Sequence, residues 1–306
     1  MKVLIIGLGS IAKKHISSLM ELIPDVKIYA FRAVKNSANV LNVINIYDFN
    51  DTPNDVDFII ISNPTSLHSN AIEQVINFNA PIFIEKPIFD KIETNSSLVN
   101  LIQEKNLKTY IACNLRFHPA IVFLKNYLQN SSKRINEVNV YCGSYLPEWR
   151  EATNYIDSYS AKSSLGGGVH LDLIHELDYC IWLFGFPIKH SSVKRKVSQL
   201  QIDSIDYCSY NLFYANFNLS IVLNYFRVKP KRQIEIVFED DVITCDLLNA
   251  IIKNSHGQVI FEEKGFNMND TYLKQMEYFI DHLNDDKPFM NNSNEAFDIL
   301  KIALYE

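Results

Sequence analysis

Cysteine is scarce and poorly placed for cross-linking. The five residues Cys113, Cys142, Cys180, Cys208 and Cys245 are odd in number and far apart, and no CxxC pair occurs. That argues against a disulfide framework and a zinc site; no metal is expected, and a reducing, cytoplasmic setting fits. No run of about 18 apolar residues exists, so no membrane span is expected. The opening MKVLIIGLGS has an apolar run that ends at Gly7, too short for a secretory signal. Positive charge is not in excess either. The net charge is −6, which argues against nucleic acid or an anionic membrane as partner. Short basic clusters such as VKRK read as solvated surface. No internal repeat or low-complexity linker interrupts the chain.

The sequence has an ordinary globular composition. Its 306 residues, 47% hydrophobic and 21% charged, suffice for two domains with a sizeable core. In the first part, short apolar runs (KVLIIG, VKIYAFR, VDFIIISN, PIFIEKP, KTYIACN) alternate with helical patterns. This predicts an α/β fold class, with a doubly wound parallel sheet and helices on both faces. Beyond about residue 120 the texture changes. INEVNVYCGSYL, IKHSSVKRKVSQLQI, SIDYCSYNLFYANFNLSIVLNYF and RQIEIVFEDDVITCDLL are β-branched and aromatic, as in a large, mostly antiparallel sheet. One helix over 171–184 interrupts them and two helical patterns close the chain. The expected domains are 1–119 and 120–306, the second α+β.

The first strand–helix junction carries G-x-G-x-x-A at Gly7, Gly9 and Ala12. Gly7 permits the tight turn. Gly9, with Ser10 and Ile11, lets a pyrophosphate approach the helix N-terminus, and Ala12 keeps the helix against the sheet. The spacing and position predict a dinucleotide site on a Rossmann-type domain. An NAD site would end the second strand with a carboxylate for the ribose hydroxyls. Here the strand ends YAFRAVKNS, which offers Arg32 and Lys35 instead. A 2′-phosphate suits these better, so NADP is favoured, with NAD possible.

Three further segments end strands of the same sheet. Asn63, Pro64, Thr65 and His68 follow one strand, and Glu85 and Lys86 end the next. Asn114, Arg116 and His118 end another. Ligands of open α/β sheets bind beyond such carboxyl ends, so these segments are candidate cofactor and substrate contacts.

At this point the chain resembles the Gfo/Idh/MocA family of sugar and inositol dehydrogenases. The resemblance rests on G-x-G-x-x-A at 7–12, NPTSLH at 63–68, EKP at 85–87, RFHP at 116–119 and GGGVHLD…H at 166–175. It implies a Rossmann domain followed by a domain with a large sheet, a nicotinamide cofactor, and oxidation or reduction of a sugar or cyclitol carbon. It also implies Lys86, Asp172 and His175 as catalytic groups, and a homodimer or homotetramer that covers the exposed sheet face. A weaker similarity, through YLPEWR…YSA…GGG…HELDY…WLFG, is to proteins of bacterial surface-sugar pathways.

The stretch LGGGVHLDLIHELDY can then be read. As one helix, Asp172, His175, Glu176 and Tyr179 share a face, with Leu173 and Leu177 on the other side. The family usually spaces Asp and His by four residues. Here His175 follows Asp172 by three and Glu176 holds the fourth place, so either could be the proton-transfer group. In the expected mechanism, His175 takes the hydroxyl proton, Asp172 orients it, and Lys86 stabilises the alkoxide. Trp149, Arg150, Tyr155 and Tyr159 are candidate sugar contacts, beside Arg116. Two alternatives remain: a redox-mediated glycosidase of the same superfamily, and a non-catalytic NADP-binding regulator.

Overall fold

The structure is a computed structural model and describes residues 1–32, 39–150 and 154–305. It divides into two compact units. One comprises Met1–Asn114 with Asn269–Leu300, the other Leu115–Met268 with Lys301–Glu306. The first run of elements is β1 (Lys2–Ile6), α1 (Ser10–Leu22), β2 (Lys27–Phe31), β3 (Val43–Ile46), β4 (Phe58–Ile61), α2 (His68–Val75), β5 (Ile82–Glu85), α3 (Ser96–Glu104) and β6 (Thr109–Ala112). There follow α4 (Pro119–Asn130), β7 (Ile135–Tyr145), α5 (Val169–Asp172), α6 (His175–Phe184), β8 (Lys189–Arg195), β9 (Tyr207–Phe213) and β10 (Asn218–Asn224). The chain closes with β11 (Phe226–Phe238), β12 (Val242–Asp246), β13 (Ile251–Lys253), β14 (Val259–Glu262), α7 (Met268–Asp281) and α8 (Ser293–Leu304).

In the first unit the strands run β3-β2-β1-β4-β5-β6, and every pair is parallel. This is the doubly wound order whose switch point lies between β1 and β4. The central strands are apolar throughout because helices cover both faces. Val3–Ile5, Phe58–Ile61 and Ile82–Ile84 are all buried. The short β3, absent from the sequence reading, pairs with β2 from Val43 to Ile46.

The expected second domain of 120–306 needs correction. Residues 269–300 belong to the first unit, because their aromatic side chains complete its core. Phe279 is fully buried and lies 5.1 Å from Phe58, 5.3 Å from Phe83 and 4.9 Å from Phe289, measured between ring centroids. Asn291 then closes the free edge of β6. Its carbonyl accepts from the Ile111 N–H and its side-chain amide donates to the Ile111 carbonyl, both at 2.9 Å. The side chain and main chain of one residue thus stand in for a neighbouring strand. The boundary between the units along the chain falls at Asn114/Leu115.

In the second unit the strands run β14-β13-β12-β11-β7-β10-β9-β8. All neighbours are antiparallel except β7 and β10, which are parallel. Alternation is clean. Val138, Val140, Ile221, Ile234 and Ile236 are buried, whereas the opposite face carries Asn139, Tyr141, Ser220, Gln233 and Glu235, which are not. The strand expected across 188–202 stops at Arg195. Asp206 accepts from the Val197 N–H at 2.7 Å and from the Ser198 N–H and hydroxyl at 3.0 and 2.5 Å, and these bonds fold the chain away from the ladder. The helix expected over 171–184 is two helices, α5 and α6, broken at Leu173–Ile174. No helix among the described residues is long and apolar enough to cross a membrane.

Candidate functional site

In the first unit, Gly7 has φ +90°, and a Cβ there would lie 2.5 Å from the backbone nitrogen of Asn63. Only glycine lets the end of β1 approach the β4–α2 loop this closely. A Cβ at Gly9 would meet nothing. The first turn of α1 has no side-chain cap and no acidic residue, so its N–H donors suit an anionic group. Ser10 is exposed and Ile11 half-buried, while buried Ala12 holds α1 on the sheet.

A cleft of about 430 Å³ opens here, lined by Gly7, Phe31, Arg32, Asn63, Pro64 and Ala71 among others. The Asn63 side-chain oxygen is buried and accepts no hydrogen bond among the described residues. An open glycine cradle, an uncapped helix start and an unpaired acceptor fit a dinucleotide. Arg32 lines the cleft and donates to Asn45 Oδ1 at 3.3 Å. Lys35 lies outside the described residues. Pro64 is exposed, and Thr65 begins a short 3-10 turn.

Two of the expected cofactor contacts, His68 and Glu85, also hold the surrounding loops and helix. His68 is 1% exposed; its Nδ1 faces the Pro87 carbonyl and its Nε2 the Asn63 carbonyl, both at 3.0 Å. Its ring ties two loops together, and burial pushes its pKa down. The Glu85 carboxylate is buried against His15 at 2.6 Å, with its other oxygen accepting the Lys86 N–H at 3.2 Å. His15 carried no motif, and its partner is 70 residues away. Lys86 itself is half-buried at the carboxyl end of β5. Asn114 is buried and donates to the Thr271 hydroxyl at 2.7 Å.

In the second unit the glycine turn depends on Gly167 and Gly168. A Cβ on Gly167 would lie 2.2 Å from the Tyr159 carbonyl oxygen, and Gly168 has φ +135°. The turn delivers Asp172, 6% exposed, to the Tyr225 hydroxyl, which donates to Oδ2 at 2.5 Å. Burial, then the Asp172 charge, raises the Tyr225 pKa well above normal. Tyr225 was not a sequence candidate because it lies in a β-rich run 53 residues from Asp172.

Tyr159 also stands at Asp172, whose charge raises its pKa. The Arg150 guanidinium lies 5.1 Å from the Tyr159 ring centre. Trp149 donates to the Ser144 hydroxyl at 2.8 Å and packs edge-on against Tyr225 at 5.2 Å. Tyr155 turns elsewhere, its hydroxyl accepting from the Gln201 N–H at 3.3 Å. His170, also missed, is buried near Asp172, and its Nδ1 has no partner among the described residues. Burial, with Lys194 adding and Asp172 opposing, pushes its pKa down to about 4.

The shared polar face expected for Asp172, His175, Glu176 and Tyr179 is not formed. The helix is interrupted at 173–174. Glu176 is fully buried and receives a 2.6 Å hydrogen bond from Arg232, and Tyr179 is fully buried beside it. Across residues 166–181 every residue is buried except His175. Within this unit His175 has the access to solvent that proton transfer requires, and Glu176 lacks it.

Arg116, expected as a substrate contact, has an internal partner. It is 1% exposed and grips Asp178 with two bonds, Nε to Oδ2 at 2.9 Å and Nη2 to Oδ1 at 2.7 Å. His118 is buried and accepts from the Ala120 N–H at 3.2 Å through Nδ1, capping α4. Through Nε2 it donates to the Leu247 carbonyl at 3.0 Å. RFHP thus has buried partners within the fold through both Arg116 and His118. No cluster of metal-binding side chains occurs among the described residues.

Residues 1–112 match the profile of the GFO_IDH_MocA oxidoreductase family, described as an NAD-binding Rossmann fold. An uncharacterized oxidoreductase of Schizosaccharomyces pombe is 26% identical over 67% of this chain and 52% of its own length. Levoglucosan dehydrogenase of Pseudarthrobacter phenanthrenivorans is 26% identical over 43% of this chain and 34% of its own length. The chain thus spans about half, or less, of the length of these relatives. Among solved structures, levoglucosan dehydrogenase in complex with NADH superimposes with a TM-score of 0.86 at 16% identity, over 99% of this chain and 95% of the other. UDP-N-acetylglucosamine 3-dehydrogenase of Acidithiobacillus ferrooxidans does so with 0.78 at 19%, over the same shares. At these identities the structural likeness establishes the fold.

Proposed function

We propose that this chain, whose residues 1–112 match the Gfo/Idh/MocA oxidoreductase profile, carries out hydride transfer between NADP(H) and a carbinol or carbonyl carbon of a sugar, sugar derivative or cyclitol. The observation that carries the reading is the buried Asp172 carboxylate, held by Tyr225, in a stretch where only His175 keeps access to solvent. Such a pair offers one fixed charge and one mobile proton, as alcohol oxidation needs.

The cofactor would be held by Gly7, Gly9, Ser10, Ile11, Ala12, Asn63, Pro64 and Thr65, with Arg32 toward a 2′-phosphate. Asn114 is proposed to contact the nicotinamide or the substrate. The bound nicotinamide supplies the hydride acceptor or donor. In oxidation His175 takes the hydroxyl proton at a ring nitrogen and Asp172 orients the hydroxyl. Lys86, as an ammonium, stabilises the developing alkoxide. Tyr159, Arg150 and Trp149 would form the sugar-facing wall, with Arg150 suited to an anionic substituent. Levoglucosan dehydrogenase and UDP-N-acetylglucosamine 3-dehydrogenase, both named for sugar substrates, support a sugar-type substrate here. A role in bacterial surface-sugar chemistry, a cytoplasmic setting and a homodimer or homotetramer belong to the same proposal.

The test begins with thermal unfolding in NADPH and in NADH, since the tighter ligand raises Tm more. Sugars, nucleotide sugars and cyclitols are then screened with the better cofactor. Lys86→Ala should abolish turnover while leaving cofactor binding; unchanged turnover on the best substrate would overturn the assignment.

A further inference from the structure

The pair formed by His15 and Glu85 is buried and polar, and no motif joins the two residues. His15 is fully buried in α1 and Glu85 is 8% exposed at the last position of β5. Nε2 and Oε1 are 2.6 Å apart. A carboxylate only accepts, so Nε2 carries the proton. Glu85 Oε2 accepts the backbone N–H of Lys86 at 3.2 Å. One carboxylate therefore grips both α1 and the main chain of Lys86.

The sheet does not make this link. β1, which leads into α1, and β5, which leads into Lys86, are separated by β4. The ring of His15 is walled by apolar edges, Phe83 at 4.8 Å and Tyr272 at 6.1 Å. Its Nδ1 is buried with no partner among the described residues. A purely structural position of this size would suit an apolar side chain, since desolvating an imidazole and a carboxylate together is costly. What the polar pair adds is direction: a fixed angle for the carboxylate, and so for the residue that follows it.

We propose that His15 and Glu85 are positioning residues that set the placement of Lys86 relative to the helix whose N-terminus receives the cofactor diphosphate. The inference rests on the reading of Lys86 as the group that acts at the reacting carbon. It makes the cofactor-binding helix and the catalytic lysine one mechanical unit, joined by one buried contact.

The test reads Lys86 without substrate. Reductive ¹³C-methylation labels the lysines, and the Lys86 signal is assigned by its loss in Lys86→Arg. In the cofactor-free protein, His15→Leu should move or broaden that signal, while the signals of Lys189 and Lys253 on the other unit's sheet stay in place. His15→Gln, whose amide N–H can reach the same carboxylate, should return it toward the wild-type position. A Lys86 signal unmoved in folded His15→Leu overturns the proposal. If His15→Leu does not fold, Glu85→Gln decides by the same signal, and no movement there overturns it equally.

With cofactor and substrate, His15→Leu should lower kcat about 10- to 100-fold, with little change in cofactor Kd and recovery in His15→Gln. A loss of kcat, Kd and Tm together, unrelieved in His15→Gln, marks a merely structural role and overturns the proposal. Wild-type protein that turns over nothing sinks the dehydrogenase reading alone, because the lysine signal is read independently of it.

Discussion

The Tyr225 hydroxyl donates to Asp172 Oδ2 at 2.5 Å, and both groups are buried. This bond joins the last residue of α5 to the residue between β10 and β11. Hydrogen bonds to a charged group contribute about 1.5–3 kcal/mol, so Tyr225→Phe should leave Asp172 with one strong hydrogen bond fewer. The expected outcome is a kcat lowered roughly 10- to 100-fold with cofactor affinity intact. An equal kcat in the two proteins would show that Tyr225 serves packing only.

Arg32 lines the nucleotide cleft where an NAD site would place an acid. Replacing it by alanine should weaken NADPH by about 1.5–3 kcal/mol, roughly 10- to 150-fold, and leave NADH nearly unaffected. Calorimetric titration of both cofactors checks this. Parallel losses for the two would place Arg32 away from the 2′-position.

Phe279 anchors the returning segment 269–300 in the core of the first unit. Phe279→Ala should cost about 3–5 kcal/mol, measurable as a lowered urea midpoint with unchanged m-value. A cost below about 1 kcal/mol would contradict the burial.

His118 and His170 should make the fold acid-sensitive. Burial pushes each ring down to about 4, against about 6.5 when unfolded. Between those values the unfolded chain binds more protons, so stability is full above pH 6.5 and falls as pH drops toward 4. The loss is on the order of 2 kcal/mol per ring by pH 5. Urea unfolding at pH 7 and pH 5 reads it, and His170→Leu should shrink the difference by about one ring's share. An undiminished difference would mean that His170 titrates normally.

Gly7, Gly9 and Ala12 were legible because a strand, a turn and a helix N-terminus are local, and each glycine has one geometric job. The sheets were legible through apolar runs and alternation. His175 and Glu176 could not be told apart, because a single helical period was assumed across 171–184 and the break at Leu173–Ile174 invalidates it. Arg116, His68 and Glu85 looked like ligand contacts because polar residues at strand ends usually are. Their partners Asp178, Pro87 and His15 lie 62, 19 and 70 residues away, beyond any local pattern. Residues 269–300 read correctly as helical, but helical pattern alone does not say which core receives Phe279.

The Asn291 bonds to Ile111 span 180 residues of sequence. During synthesis the β6 edge is therefore complete long before the residue that closes it exists. At about 5–20 residues per second, the ribosome leaves that edge open for roughly 9–36 s. Throughout that time a nearly finished parallel sheet presents an unpaired strand to its surroundings. The nascent chain, more than the mature protein, is where this sequence is exposed to edge-to-edge aggregation. A substitution at Asn291 would keep the main-chain bond and lose the side-chain one, leaving the Ile111 carbonyl open even in the finished chain.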